Sequence, residues 1–272
     1  MSVFGSASLD PYVIKTLGMP ASQPYQNTDG RTLVYPGLVS GENTALFITA
    51  GQSNGAGANH VTAAYTPTNG AKNQTLYLFN GGIYRTADPL LGGGTGSLGS
   101  WGGRLADKLI DAGVFARVVI LPTDVGSTAV ADWQPGASFF DRLIVATKRA
   151  LSLGLPVTGY LWHQGETDQA AGTSQVAYAS ALSSIITGVR AYGSGFQAPW
   201  FIGKCSYNGG NTSAAVRAAQ AAIIDGATIF AGGDTDSLTG AGTNREAGNL
   251  HFNATGADAA ASLWKAALDV VF

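Results

Sequence analysis

The chain has 272 residues, of which 45% are apolar and only 12% charged. This length and apolar content are enough to bury a full core, which excludes an intrinsically disordered protein. The 15 Lys and Arg residues are offset by 17 Asp and Glu residues, so we expect no basic cluster of the kind that binds nucleic acid.

Cysteine and histidine are too rare to predict a disulfide or a local metal motif. The chain has one cysteine, Cys205, and three histidines, which offer no Cys/His spacing typical of zinc sites. The apolar runs fall short of the roughly 18 residues of a membrane span, and the first residues lack the features of a signal peptide. We therefore expect a soluble protein without metal or cofactor, and its compartment stays open.

Residues 1–43 differ from the rest of the chain. They mix Pro, Gly, Ser and Asn with isolated apolar residues and show neither helical nor strand periodicity. We interpret them as an arm or wrapping segment in front of one domain at 44–272. Such an arm could dock the domain to a larger assembly, such as a surface or a phage particle.

From residue 44 onwards, short apolar runs alternate with longer segments of helical period, which indicates an α/β domain. The runs are almost wholly apolar, as expected for parallel strands covered by helices on both faces. The predicted strands are 45–49, 118–121, 158–162, 200–203 and 228–231. The predicted helices are 102–113, 139–153, 174–192, 212–225 and 254–270.

These elements predict a doubly wound, flavodoxin-like sheet of five parallel strands with helices on both faces, which is a three-layer sandwich. Parallel neighbours require crossover connections, and the helices between the predicted strands can supply them. The segment 72–86 is interpreted as a strand and turn inserted before the first crossover.

Polar residues follow three of the predicted strands, at the edge where open parallel sheets bind their ligands. Ser53 lies in a glycine-flanked turn after the first strand, the run HQGETD at 163–168 follows the third, and His251 lies beyond the fifth. A serine hydroxyl is a weak nucleophile until a base takes its proton, and histidine suits that exchange near neutral pH. We therefore expect Ser53 and His251 to meet at this edge.

Four segments together resemble the SGNH/GDSL hydrolase superfamily, in its sialate O-acetylesterase-like and acetylxylan-esterase-like branch. The similarity spans about residues 44–270. The segments are GQSN at 51–54, WHQGETD at 162–168, LHFNATG at 250–256, and GST at 126–128 followed by Trp133, Gly136 and Asp141-Arg142.

The resemblance implies roles for individual residues. Ser53 takes the place of the nucleophile and His251 that of the general base. The oxyanion hole would be built from the backbone N–H of Ser53, a glycine N–H and the side-chain amide of Gln164. Gly99 is the preferred glycine because it precedes a predicted helix start, where N–H groups are unpaired, and Gly96 is the alternative.

The third member of the triad departs from the family pattern. The family usually carries Asp three residues before the histidine, but that position here is Gly248. Glu246 is our first choice for the orienting acid because it shares the loop of the histidine. Asp234 and Asp236 are alternatives, as is a Ser-His dyad without a carboxylate.

Further residues are predicted to surround the site. Asn54 and Trp133 are expected to bind substrate or to support the catalytic residues. Glu166 is expected to hold the serine loop as a buried acceptor rather than to act as an acid or base. The predicted loops at this edge also carry aromatic residues on which a sugar ring could stack, namely Trp101, Trp133 and Tyr207.

The resemblance implies a serine esterase that removes O-acetyl groups from a carbohydrate through an acyl-enzyme. The alternative is an inactive carbohydrate-binding or structural module of the same fold. A lipase or thioesterase would need a long apolar channel, whereas the predicted site loops are mostly Gly, Ser, Asn and Thr. The sugar, the acetyl position and the oligomeric state stay open.

Overall fold

The apolar runs of the sequence form the centre of one large sheet. The computed structural model describes residues 27–39, 41–57, 64–93 and 99–272. Within these ranges the sheet has eight strands in the order β1-β4-β3-β5-β2-β6-β7-β8. The strands are β1 Leu33–Val34, β2 Thr44–Gly51, β3 Asn73–Leu76, β4 Ile83–Arg85, β5 Arg117–Pro122, β6 Gly159–His163, β7 Trp200–Lys204 and β8 Ile229–Asp234.

The doubly wound parallel sheet is confirmed, but the predicted number of five strands is wrong, because the described residues form eight. The five predicted strands are β2, β5, β6, β7 and β8, and they pair in parallel with β2 and β6 at the centre. β3 extends this parallel set beside β5, and β4 and β1 then add in antiparallel. The strand and turn predicted at 72–86 correspond to β3 and the turn that follows it. β1 and β4 escaped prediction because they have only two or three residues.

Helices lie in the predicted places, with two short additions. The longer helices are α2 Gly102–Asp111, α3 Phe140–Ser152, α5 Gln175–Arg190, α6 Ala214–Ala222 and α7 Ala254–Leu268. Side chains of Ser174, Ser213 and Asn253 cap the last three by accepting a backbone N–H from the first helical turn. The additions, α1 Ser53–Ala56 and α4 Glu166–Ala171, are too short to show a helical period. None of the helices in the described ranges is long and apolar enough to cross a membrane.

The core has two halves, one on each face of the sheet. Alternate residues of β2 point to opposite faces, so Leu46 and Ile48 pack with α3, α5 and α6, whereas Ala45 and Phe47 pack with α2 and α7. All four side chains are fully or almost fully buried. This alternation makes the three layers of the predicted sandwich.

The beginning of the chain is partly included in the sheet. β1 lies within the predicted arm at 1–43 and pairs Leu33 with Tyr84 and Val34 with Ile83 at the sheet edge. Residues 1–26 lie outside the described ranges. The division of the chain into an arm and a domain at residue 43 stays a prediction.

Candidate active site

The turn after β2 presents Ser53 at the carboxyl edge of the sheet. Gly51 has φ +145°, and a Cβ added there would lie 1.9 Å from the backbone oxygen of His163. Only glycine therefore fits where β2 and β6 run so close together. The carbonyl oxygen of Gln52 accepts the N–H groups of Gly55 and Ala56, which closes the one-turn helix α1 with Ser53 as its first residue.

Ser53, His251 and Glu246 form a continuous hydrogen-bonded line. The Oγ of Ser53 lies 2.9 Å from Nε2 of His251, and Nδ1 of His251 lies 3.1 Å from Oε1 of Glu246. A backbone bond from Glu246 N–H to the carbonyl oxygen of His251, at 2.9 Å, holds the two residues on one loop. Ser53 is 6% exposed, and the side chains of His251 and Glu246 are each 18% exposed.

The two alternative acids lie elsewhere. Asp234 and Asp236 both bind the guanidinium of Arg217, at 3.1 Å and 2.7 Å. Asp236 also accepts the backbone N–H groups of Ser206 and Tyr207. Their carboxylates are thus engaged at the ends of β7 and β8, and Glu246 is the carboxylate that the structure brings to the imidazole.

Asn54 ties the nucleophile segment to both neighbours of the histidine. Its Oδ1 accepts the backbone N–H of Phe252 at 3.0 Å, and its Nδ2 donates to the carbonyl oxygen of Leu250 at 3.4 Å. Nδ2 also donates to Oε1 of Glu166 at 2.8 Å. Asn54 is fully buried and Glu166 nearly so, which agrees with their predicted supporting roles. The relative position of Ser53 and His251 is therefore fixed by bonds besides the one between them.

Arg245, which was not among the predicted site residues, supports the same loop. Its guanidinium donates to the carbonyl oxygens of Leu238, Leu250 and Thr235 at 2.7–2.8 Å. It also lies over the rings of Phe252 and Tyr207, at 4.0 Å and 4.8 Å from their centres. The only sequence signal was a basic residue directly beside the candidate acid.

Gln164 is hydrogen-bonded within the protein around the serine turn. It is fully buried, and its Nε2 donates to Oδ2 of Asp168 at 2.6 Å and to the carbonyl oxygen of Thr128 at 2.9 Å, with Oε1 of Gln52 at 3.3 Å. An amide nitrogen has two hydrogens, so these acceptors compete with any oxyanion for them. Gln164 connects the loop after β5 with α4, and its donor role stays a prediction.

Gly99 lies directly against a carboxylate. A Cβ added to Gly99 would lie 2.3 Å from Oδ2 of Asp88, so the glycine allows the close approach of that partly buried side chain, and its oxyanion role stays a prediction. Gly96 lies outside the described residues. The loop after β5 runs beside the serine turn. The N–H of Val125 donates to the carbonyl oxygen of Gly51 at 2.9 Å, and the hydroxyl of Thr128, which donates to the carbonyl oxygen of Val125 at 2.9 Å, lies 3.4 Å from the same oxygen of Gly51. Ser127 in this loop has φ +60°, which is uncommon for a residue with a side chain.

The aromatic side chains near this edge are buried and not exposed to solvent. Trp133 and Trp101 have no exposed surface, and Tyr207 is 5% exposed. The indole N–H of Trp133 donates to the hydroxyl of Thr128 at 3.0 Å, and Trp101 stacks on Trp264 with ring centres 5.1 Å apart. The predicted sugar-stacking role therefore has no free ring face here, whereas a supporting role fits Trp133.

A buried carboxyl group lies beneath the serine turn. Asp124 accepts a hydrogen bond from the hydroxyl of Thr49, and a Cβ added to Gly55 would lie 2.3 Å from its Oδ1. Complete burial raises the pKa of Asp124 to about 7, because the charged form loses its hydration. The fold therefore favours the protonated form of this group.

Comparison with known proteins places the chain in a family. Residues 43–267 match the carbohydrate esterases described as sialic acid-specific acetylesterases. The chain belongs to this family. Membership confirms the resemblance to the carbohydrate-esterase branch of the SGNH hydrolases.

The Arabidopsis thaliana matches share limited sequence identity with this chain. A probable carbohydrate esterase from Arabidopsis thaliana is 30% identical over 53 residues, which is 20% of this chain and 20% of the relative. A solved structure of an Arabidopsis thaliana protein superposes with a TM-score of 0.68 at 22% identity, over 84% of this chain and 98% of that one.

Two further solved structures share the fold. A carbohydrate acetylesterase from Xanthomonas citri has a TM-score of 0.59 at 17% identity, over 84% of this chain and 56% of that one. The protein NanS has a TM-score of 0.58 at 16% identity, over 84% of this chain and 97% of that one. At such identities the likeness shows the fold alone.

Proposed function

We propose that this chain is a serine esterase that removes O-acetyl groups from a carbohydrate through an acyl-enzyme intermediate. The observation that carries the proposal is the hydrogen-bonded line from Ser53 through His251 to Glu246 in a member of a carbohydrate esterase family. The family description supplies the acetyl ester and the carbohydrate as the substrate class.

The hydrogen bonds support Nε2 as the imidazole nitrogen that acts as the base. Glu246 accepts from Nδ1, so Nδ1 carries the proton of the neutral ring and Nε2 presents its lone pair to the hydroxyl of Ser53. Nε2 takes the hydroxyl proton while Oγ forms a bond to the acetyl carbonyl carbon, and the carbonyl electron pair moves to its oxygen. Glu246 stabilises the imidazolium that results.

Collapse of this intermediate releases the sugar. The carbonyl re-forms, the bond to the sugar oxygen breaks, and Nε2–H donates its proton to that oxygen. A water molecule then attacks the acetyl-Ser53 ester, with Nε2 again taking a proton, and acetate leaves as the Ser53 hydroxyl is restored. The step needs no oxidant or reductant.

Backbone groups near Ser53 are our candidates to hold the oxyanion. The N–H of a first helical residue has no acceptor within its own helix, which describes Ser53 in α1. The loop 126–128 runs beside this turn and is the second candidate source, in addition to the predicted Gln164 and Gly99. Each donor removed from such a hole typically lowers kcat by about 10² to 10³.

The proposal is tested with Ser53→Ala on p-nitrophenyl acetate and on acetylated polysaccharides, with acetate release as the readout. We expect a loss of kcat of at least about 10³, because the hydroxyl is the proposed nucleophile. Ser262→Ala, on the exposed face of α7, is the matched control and should keep full activity. A fluorophosphonate should add covalently to Ser53 of the unmodified chain. Wild-type protein without turnover or labelling would reject the proposal.

A further inference from the structure

A second group of reactive side chains lies behind the serine turn. His163 ends β6, Glu166 begins α4 and Cys205 follows β7, and one potential ligand atom from each lies within 4.8 Å of the other two. All three residues are 0–2% exposed. Gly165 allows this meeting, because a Cβ there would lie 1.8 Å from the backbone oxygen of Cys205.

The spacing between sulfur and nitrogen is that of two ligands on one ion. Sγ of Cys205 lies 3.7 Å from Nδ1 of His163. Zinc binds thiolate sulfur at about 2.3 Å and imidazole nitrogen at about 2.0 Å, and a tetrahedral angle between such bonds separates the two atoms by about 3.5 Å. Closing the difference needs only a small movement of either side chain.

The histidine is already held in the form that binds metals. Its Nε2 lies 2.9 Å from the hydroxyl oxygen of Thr235, and that hydroxyl donates its own hydrogen to the carbonyl oxygen of Lys204 at 3.2 Å. In this arrangement Thr235 accepts from His163, which places the proton on Nε2 and leaves a lone pair on Nδ1, the nitrogen that faces Sγ of Cys205. An oxygen that accepts from the far nitrogen is the usual support of a metal-binding histidine.

The second oxygen of the Glu166 carboxylate competes with His163 for one proton. Oε1 accepts from Asn54, and the only donor that faces the buried Oε2 among the described residues is the thiol of Cys205. In the ionised state of Glu166, the single thiol proton can serve Nδ1 of His163 or Oε2 of Glu166 but not both. A buried oxygen without a partner is unfavourable. A cation that replaces the thiol proton would satisfy all three groups at once.

We propose that His163, Glu166 and Cys205 form a binding site for a divalent transition-metal cation of the zinc class. Sulfur, imidazole nitrogen and carboxylate oxygen are the ligand set that zinc takes in proteins, and three such ligands leave the fourth position to a water molecule. On binding, the thiol gives up its proton to solvent, and the thiolate and the carboxylate together neutralise the ion. The guanidinium of Arg245 faces the same cluster and opposes a cation, and the carboxylate of Asp236 offsets it.

The site would stabilise the catalytic segments without touching the substrate. Glu166 connects it to Asn54, and Asn54 bonds to the residues on either side of His251. The inference departs from the sequence expectation of no metal, since that expectation considered only ligands close together in the chain. Here the ligands come from the ends of two neighbouring strands.

The experiment uses the full chain, treated with a chelator and then titrated with Zn²⁺ or Co²⁺. We expect one metal ion per chain by elemental analysis, a thiolate-to-cobalt charge-transfer band with Co²⁺, and a higher Tm with Zn²⁺. Cys205→Ser should abolish the band and weaken binding at least about tenfold. His251→Gln removes the histidine of the proposed triad. This variant should keep the charge-transfer band and the metal affinity, which would exclude metal binding at His251.

Two results would overturn the inference: no stoichiometric binding by the folded wild-type chain, or binding that Cys205→Ser leaves unchanged. If Cys205→Ser fails to fold, His163→Gln provides the same comparison. The readouts are metal content, absorption and Tm, so the outcome is independent of whether the chain is an active esterase.

Discussion

Glu246 is the residue whose proposed role is most specific to this chain, because the proposal gives it the place of an acid that the family usually carries three residues before the histidine. We expect Glu246→Gln to lower kcat by about 10³ to 10⁴, since the amide no longer stabilises the imidazolium or selects the tautomer. Asp234→Asn is the matched control, because Asp234 pairs with Arg217 and Lys204 instead of His251. Steady-state kinetics of both variants give the kcat values to compare. Equal kcat values for Glu246→Gln and Asp234→Asn would favour a Ser-His dyad.

Asn54 should matter for stability as well as for rate. Asn54→Ala removes the bonds to Glu166 and Phe252 and leaves their buried groups unsatisfied. Each such loss costs about 1–3 kcal/mol, so we expect the free energy of unfolding in urea to fall by roughly 2–6 kcal/mol. Asn69→Ala, whose side-chain bonds lie at the exposed surface, should change it little. A variant at position 54 with wild-type stability and kcat would show that the bonds to Asn54 are dispensable.

At the scale of elements, the contact between β2 and β6 sets the position of the serine turn. Gly51→Ala places a Cβ 1.9 Å from the carbonyl oxygen of His163 at a φ of +145°, so the two strand ends must separate. We expect a loss of more than about 3 kcal/mol of unfolding free energy together with loss of esterase activity. Gly154→Ala, at φ +70° with nothing within 4 Å of the added Cβ, isolates the backbone strain and should cost about 1 kcal/mol.

The raised pKa of Asp124 predicts that the free energy of unfolding depends on pH. Its pKa in the fold is about 7 against an ordinary value of 3.8, so the folded chain binds the proton more tightly than the unfolded chain. The stabilisation is complete below about pH 4 and is lost as pH rises through 7, by up to about 4 kcal/mol. Urea unfolding from pH 4 to 8 should show this slope as the difference between wild type and Asp124→Asn. Parallel profiles for the two proteins would contradict it.

The elements that could be predicted are those whose signal is local. Five strands followed from unbroken apolar runs such as 118–121, and their helices from a repeated apolar face. β1 and β4 are held by pairing with a neighbour, and α1 and α4 by the ends of the strands before them. The pairing of β1 with β4 joins segments that are distant in the chain, so no short stretch of sequence predicts it.

The same distinction applies to the candidate site. Ser53, His251 and Glu246 could be found because each lies in a short motif or beside one, although their catalytic roles stay predictions. The surroundings of Gln164 and the meeting of His163 with Cys205 depend on which residues of separate strands face each other. A motif fixes residue types, but it does not say where the hydrogens of a buried amide go.

At the scale of the whole molecule, both halves of the core depend on β2. Its side chains alternate between the two faces, and it pairs with β5 on one side and β6 on the other. α7 closes one face through Trp264, which stacks on Trp101 beside α2. The last helix of the chain is therefore part of the core that supports the first catalytic segment.

The bond between Ser53 and His251 joins residues 198 positions apart in the chain. During synthesis the serine turn leaves the ribosome long before the proposed base exists, so a nascent or truncated chain that stops before residue 251 would carry the hydroxyl without that histidine. In refolding, long-range contacts of this kind form late, because a large loop must close first. During refolding, ester turnover would therefore recover only after the loop that carries Glu246 and His251 has packed against the serine turn.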